Sequence, residues 1–505
     1  MAFQLEGHER ENNTTTKQAL QRVAESVTDG RAENVGRRQE QLFSLHTTLA
    51  RDASAICHAL ALKTKGSRHD EAKKEAEVEY YLALDAVRHF YDSLDFDKEL
   101  ENEYRVANGK DYQSRRVGYG LVVIRPLEHH SRFYSIIVPL AAALSAGNCV
   151  VVEMPKSRPG DENYDIDIQL RTILARSLDS NIFCFADDIE EDFSKSDLES
   201  DFVLVVDQRS WNSSESSISA RNYLVSLSDA PALAIVDRTA DIKEAVRLIA
   251  RASLIFGGNS PYAPDLVLVN EFVKDQVLDA FSETPDVKVE VHDFTDRSYV
   301  IAKVESNGQR DTGPIAVLPY SGLVDAVSMI KPSTQLLAGY FFAEPRAAKY
   351  LSQHLPCAIS YMNQIPTHLL VGPAAPAVTA TTSSPGLLYR YTRNMFSRPR
   401  PQMSEPPPRA FSIIDHHLGR ANGGDSANST GFLERAQDLM TNGEERLRNR
   451  QSLVSQATKP LKPVVRPNNE DVGFFEAGFL LAAGLVVLPV LGWGSFAMGR
   501  RLLSS

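Results

Sequence analysis

The sequence predicts an α/β protein: a helical opening, two successive units in which helices alternate with buried parallel strands, and an apolar segment near the last residue. Three observations carry this. Leu42, Leu45, Leu49, Ile56 and Leu60 recur at helical spacing early in the chain. Short apolar runs such as Cys149 to Val152, Phe202 to Val206 and Leu266 to Val269 are separated by stretches with helical periodicity, the rhythm of crossover helices on a parallel sheet. Ala477 to Met498 is 22 residues without a charge.

The bulk numbers fit this reading and exclude others. A chain of 505 residues exceeds what one core holds, about 250 to 300 residues, so two or more domains are expected. Its 43% hydrophobic and 24% charged residues are those of a folded globular protein. A net charge of −11 argues against broad nucleic-acid binding, which rewards Lys and Arg surfaces. Cys57, Cys149, Cys184 and Cys357 lack metal-ligand or disulfide spacing, as in a reducing compartment, and no metal is expected. The first residues, MAFQLEGHERENNTTTK, have no apolar core of the kind a secretory signal needs.

Taken in order, Thr16 to Phe96 reads as helices. The strand GYGLVVIRP from Gly118 follows, then a helix in SIIVPLAAALSAG and the buried strand from Cys149. A helix near Ile168 to Leu178 and strands Asn181 to Phe185 and Phe202 to Val206 complete the first unit. Strand Ala232 to Val236, helix Ile242 to Ile255, strand Leu266 to Val269 and helix Glu271 to Phe281 begin the second. From Ser397 to Glu470 the composition turns to Pro, Asn, Gln and Arg, a linker; Leu433, Met440 and Leu447 within it are spaced for a short amphipathic helix. The uncharged run that follows is long enough to cross a hydrocarbon core of about 30 Å as a helix. Arg500 and Arg501 close it, and a tail anchor is expected.

The middle of the chain resembles the aldehyde dehydrogenase superfamily, closest to the membrane-tethered class 3 or fatty aldehyde dehydrogenases. RAENVGRRQEQLFSLHTTL is similar to that class's opening helix, GYGLVVIRP with VPLAAALSAGNCVVVEMPKS to its first strands, ALAIVDRTADIKEAVRLIARA with YAPDLVLVNEFV to the stretch around its nucleophile, and FSRPRPQ to the close of its catalytic region. The likeness runs over residues 18 to 400. It implies an aldehyde dehydrogenase-like fold with two Rossmann-type domains. Residues 1–16 are then a disordered N-terminus, 17–232 the N-terminal helices and cofactor-type domain, 233–398 the catalytic-type domain, 399–470 a flexible linker and 471–505 the anchor, with its membrane span at 477–498.

The family's reaction joins a cysteine nucleophile, an oxyanion site made by an Asn amide and the cysteine's own N–H, a water-activating Glu and NAD(P). Each is altered here. Counted from Ala263-Pro264-Asp265, the nucleophile position falls on Pro261, which has neither a thiol nor an N–H. Ser260 beside it is more simply an ordinary loop serine. Counted from Ala146-Gly147-Asn148, the oxyanion asparagine falls on His130, and the glutamate on Ser226 or Leu227. The lysine that holds the adenosine ribose falls on Glu153, and the glutamate that holds the nicotinamide ribose on Arg310. No glycine occurs from Asp161 to Phe256, where average usage gives about six or seven and a pyrophosphate needs a close backbone. Trp211, Asp207 and Glu215 stand in the corresponding VVDQRSWNSSESS.

The resemblance with these losses implies a pseudoenzyme, retained as a scaffold or binding partner, with no catalytic or cofactor residue kept and no cofactor expected. The alternative is an NAD(P)-dependent fatty aldehyde dehydrogenase with rearranged residues. LLAGYFFAEP from Leu336 resembles the start of the family's dimer strands, so a homodimer, or a heterodimer with an active family member, is the assembly to test. The expected membrane is the endoplasmic reticulum, facing the cytosol, with the peroxisome and outer mitochondrial membrane as alternatives.

Overall fold

Helix α1 (Val35–Arg51) starts where the Arg37 N–H donates to Asn34 Oδ1 at 3.2 Å, a side-chain cap on an otherwise orphaned donor. Its buried stripe of Leu42, Leu45 and Leu49 meets α2 (Ala53–Leu62) and α3 (His69–Asp92) over the core of the first sheet. The computed structural model describes residues 16–62, 69–99, 101, 115–193, 200–209, 222–228, 230–284, 287, 289–291, 315–330, 335–376 and 391–399, all within the unit Met1–Glu405. Among the described residues, no helix is long and apolar enough to cross a membrane. Arg310, Trp211, Glu215, the linker from residue 400, the Leu433 to Leu447 segment and the Ala477 to Met498 span lie outside them.

Five parallel strands form the first sheet: β2 (Leu121–Arg125), β3 (Cys149–Glu153), β4 (Phe183–Ala186), β5 (Val203–Asp207) and β6 (Tyr223–Val225), in the order β4-β3-β2-β5-β6. Six parallel strands form the second: β7 (Ala232–Val236), β8 (Leu266–Asn270), β9 (Val289–Val291), β10 (Ile315–Tyr320), β11 (Leu336–Phe342) and β12 (Cys357–Met362), in the order β12-β11-β7-β8-β10-β9. Along β7, Ala232, Ala234 and Val236 enter one core while Leu233 and Ile235 enter another. That is the period of two expected when both faces of a strand are covered. LLAGYFFAEP supplies β11, an interior strand paired with β7 on one side and β12 on the other.

The crossover helix α4 (Arg132–Ser145) is buried on every face. Proline at position 139 lacks the N–H that would bond the Ser135 carbonyl one turn earlier. Gln208, just past β5, supplies the missing donor: its Nε2 lies 2.7 Å from Ser135 O. Helix α5 (Tyr164–Ser177) begins four residues before the periodicity suggests, with Asp165 and Asp167 in its first turn, where carboxylates suit the helix dipole. Beyond β7 runs α6 (Ile242–Leu254), capped by Asp241. After β8, a 3-10 turn over Glu271–Val273 precedes α7 (Lys274–Ser282), because Asn270 accepts the Phe272 N–H.

Ser397–Pro399, which composition assigns to the start of the linker, instead form β13, antiparallel to β1 (Arg116–Gly118). Arg116 holds the pairing, donating through Nε to Ser397 Oγ and through Nη2 to Asn394 O, each at 2.9 Å. Pro399, which ends β13, is tolerated on such an edge.

Candidate functional site

In open parallel sheets ligands bind beyond the strands' C-terminal ends, where the strand order reverses. In the first sheet this point lies between β2 and β5, whose last residues, Arg125 and Asp207, are register partners. The crevice is occupied by the chain's own charges. Arg125 Nε lies 2.5 Å from Glu153 Oε2, at the end of β3, and Arg125 Nη1 lies 3.3 Å from Asp207 Oδ2. Arg209 reaches the same two acids, with Nε 3.3 Å from Asp207 Oδ1 and Nη1 3.8 Å from Glu153 Oε1. The result is a closed ring of alternating charge, with side chains 7% (Arg125), 12% (Glu153), 18% (Asp207) and 35% (Arg209) exposed. Glu153 and Asp207, which the resemblance puts on the cofactor side, each pair with both Arg125 and Arg209. Sequence reasoning missed Arg125 and Arg209. The signal was present: LVVIR, CVVVE and VLVVD are apolar strands that each end on a charge.

Pro261, on which the resemblance puts the family's nucleophile position, lies in the loop entering β8. Ser260, Pro261 and Tyr262 are all buried, and Ser260 Oγ accepts the Tyr262 N–H at 3.3 Å. Tyr340 donates its hydroxyl to Tyr262 O at 2.8 Å, and the Tyr262 hydroxyl accepts the Ala375 N–H at 3.0 Å. Upstream, Phe256 adopts a left-handed backbone with φ 53°, uncommon for a bulky side chain. Its N–H donates to Glu75 Oε1 at 3.0 Å, and its ring meets that of His130 edge-on at 5.4 Å.

His130 therefore does meet the nucleophile loop, through Phe256, but its imidazole is already engaged. Nε2 lies 3.0 Å from Leu370 O, and since a carbonyl only accepts, that nitrogen carries the proton. Ser131 Oγ lies 3.2 Å from the same nitrogen and so is not activated by it. The nearby start of α4 is occupied too: Glu79, from α3, accepts the Tyr134 N–H at 3.0 Å. An anion attracted to this helix end would meet a carboxylate of the chain.

Ser226 follows β6, where its N–H donates to Asp207 O at 2.9 Å, beside the charge ring. Its hydroxyl is buried and has no hydrogen-bond partner among the described residues. Leu227, the other reading of that position, donates its N–H to Ala375 O at 3.3 Å. Neither is placed to take a proton from water.

The cysteines lie elsewhere. Cys149 is in β3, Cys184 in β4, Cys357 opens β12 and Cys57 is in α2. Burial pushes the Cys149 and Cys357 thiols up to about 12, and burial with the Glu77 and Glu79 charges raises Cys57. A nucleophilic thiol needs the opposite.

No protein-family model matches the chain. It is 28% identical over 199 residues to the 4,4'-diaponeurosporen-aldehyde dehydrogenase of Staphylococcus aureus; the match covers 37% of this chain and 42% of that protein, so the chain spans less than half of this curated relative. Among solved structures, it is similar to a substrate-bound state of Staphylococcus aureus AldH, with TM-score 0.57 and 17% identity over 79% of this chain and 99% of that one. An NADP-dependent glyceraldehyde-3-phosphate dehydrogenase from Bacillus halodurans, complexed with NADP, has TM-score 0.54 and 16% identity over 77% and 90%. A lactaldehyde dehydrogenase has TM-score 0.52 and 16% identity over 70% and 83%. The two parallel sheets of the described residues and these likenesses give the chain an aldehyde dehydrogenase-like fold.

Proposed function

We propose that this chain is a non-catalytic relative of the aldehyde dehydrogenases, nearest the class 3 or fatty aldehyde type, held on a membrane by its C-terminal segment and working there as a scaffold or binding partner. The placement of the cysteines carries the reading. Thiol attack on an aldehyde needs a thiolate beside an oxyanion site. The loop entering β8 offers Ser260, Pro261 and Tyr262 instead, and Cys149 and Cys357 stay protonated far above neutral pH. Neither turnover nor cofactor binding is expected. The test is the full chain with NAD+ or NADP+ and a long-chain aldehyde, followed by absorbance of the reduced nicotinamide. Sustained turnover would overturn the reading.

A second reading, NAD(P)-dependent aldehyde oxidation by rearranged residues, is favoured by the likeness to an NADP-bound enzyme. It predicts turnover in the same assay and heat protection by millimolar cofactor, since a ligand of the folded state stabilises it. The uncharged run Ala477 to Met498 supports the anchor, and imaging a tagged chain with and without residues 477–505 tests it. A cytosolic signal from both forms would refute it. Co-purification with a second copy or an active relative tests assembly.

A further inference from the structure

We infer that the ring of Arg125, Glu153, Asp207 and Arg209 is an internal clamp, which does for the first sheet what a bound dinucleotide would do, and which makes the fold independent of one. The inference rests on the non-catalytic reading in one respect, the absence of cofactor. Otherwise it stands on geometry. Its members come from β2 and β5, which flank the switch point, from the neighbouring β3, and from the residues just past β5. Each carboxylate lies within 3.8 Å of both guanidiniums, so the four charges cancel in place.

Two features draw an anion to such an edge: cationic side chains, and N–H groups at the start of the crossover helix. Both are answered by the chain's own acids. Glu153 and Asp207 hold the cations, and Glu79 holds the Tyr134 N–H of α4. A pyrophosphate entering here would have to draw Arg125 from two largely buried carboxylates and leave them with Arg209 alone beside its own charge. Removing one partner of a buried pair is strongly destabilising, whereas removing both is far less so.

The test is a set of thermal melts on the full chain. Arg125→Gln leaves Glu153 and Asp207 sharing the more exposed Arg209 alone and is expected to lower Tm by roughly 5 °C or more. Arg125→Gln with Glu153→Gln leaves the Asp207–Arg209 pair and should recover at least half of that loss. Wild-type Tm should not move with millimolar NAD+ or NADP+. An Arg125→Gln chain that melts within about 1 °C of wild type overturns the inference, as does a double variant no more stable, or no more soluble, than the single one. Heat protection of the wild type without aldehyde turnover would also overturn it, while leaving the non-catalytic reading in place.

Discussion

Replacing Gln208 by Leu removes the donor that serves the carbonyl orphaned by Pro139. Ser135 and Gln208 are both fully buried, so water cannot take over the 2.7 Å bond from Nε2 to Ser135 O. An unsatisfied buried carbonyl costs about 1–3 kcal/mol. Against this, Gln208 Oε1 is itself a buried acceptor with no partner among the described residues, and deleting it returns about a third of that cost, leaving a net loss of about 1–2 kcal/mol. Pro139→Ala restores the helical N–H one turn beyond Ser135, so in that background Gln208→Leu should be nearly neutral. The two changes should couple by about 1–2 kcal/mol in a double-mutant cycle, read from urea melts of the four proteins. Additivity within about 0.5 kcal/mol would refute the account of both residues.

Three further outcomes are expected. Ser226→Ala removes a buried hydroxyl without a partner among the described residues, so stability should hold or rise, within about 1 kcal/mol; a large loss in the melt would mean that the hydroxyl is engaged. Because burial holds Cys149 and Cys357 near 12, the native chain at pH 8 should label with a thiol reagent far more slowly at these two sites than after denaturation, as peptide mass spectrometry can count. A hydrogen bond from Arg247 holds the Glu244 carboxyl below its ordinary value. The depressed value adds stability above the unfolded pKa that is lost as pH falls through the folded one; Arg247→Ala should raise the carboxyl in an NMR titration and remove that acid-range dependence.

Much of the fold was legible because its elements are written locally. Ala232 to Val236 is a strand in both sequence and structure, since a short apolar run between turns has few other uses. The two motifs that anchor the resemblance prove to be fold-holding. Asn148 accepts the Gly120 N–H and donates to Ala143 O and Phe396 O, and Asp265 ties the start of β7 through the Ala232 N–H. The site was only half legible. Position alone brought out Glu153, Asp207 and His130, but Arg125 lies 28 residues from Glu153 and Leu370 240 from His130, and although the strand-end charges mark Arg125, nothing local says which acids it meets. Glu75 and Glu79 were hidden for the same reason, as two charges on a long helix rich in acids.

The β1–β13 pairing sets a schedule for biosynthesis. Residues 116–118 find their partners only when 397–399 have left the ribosome, and Asn148 waits through 248 residues for Phe396 O. At about 5–20 residues per second, some 280 intervening residues take roughly 15–60 s to make. For that interval the N-terminal half is held by its own core without its last seal, a window in which a chaperone or an early partner would meet a different surface from the finished one.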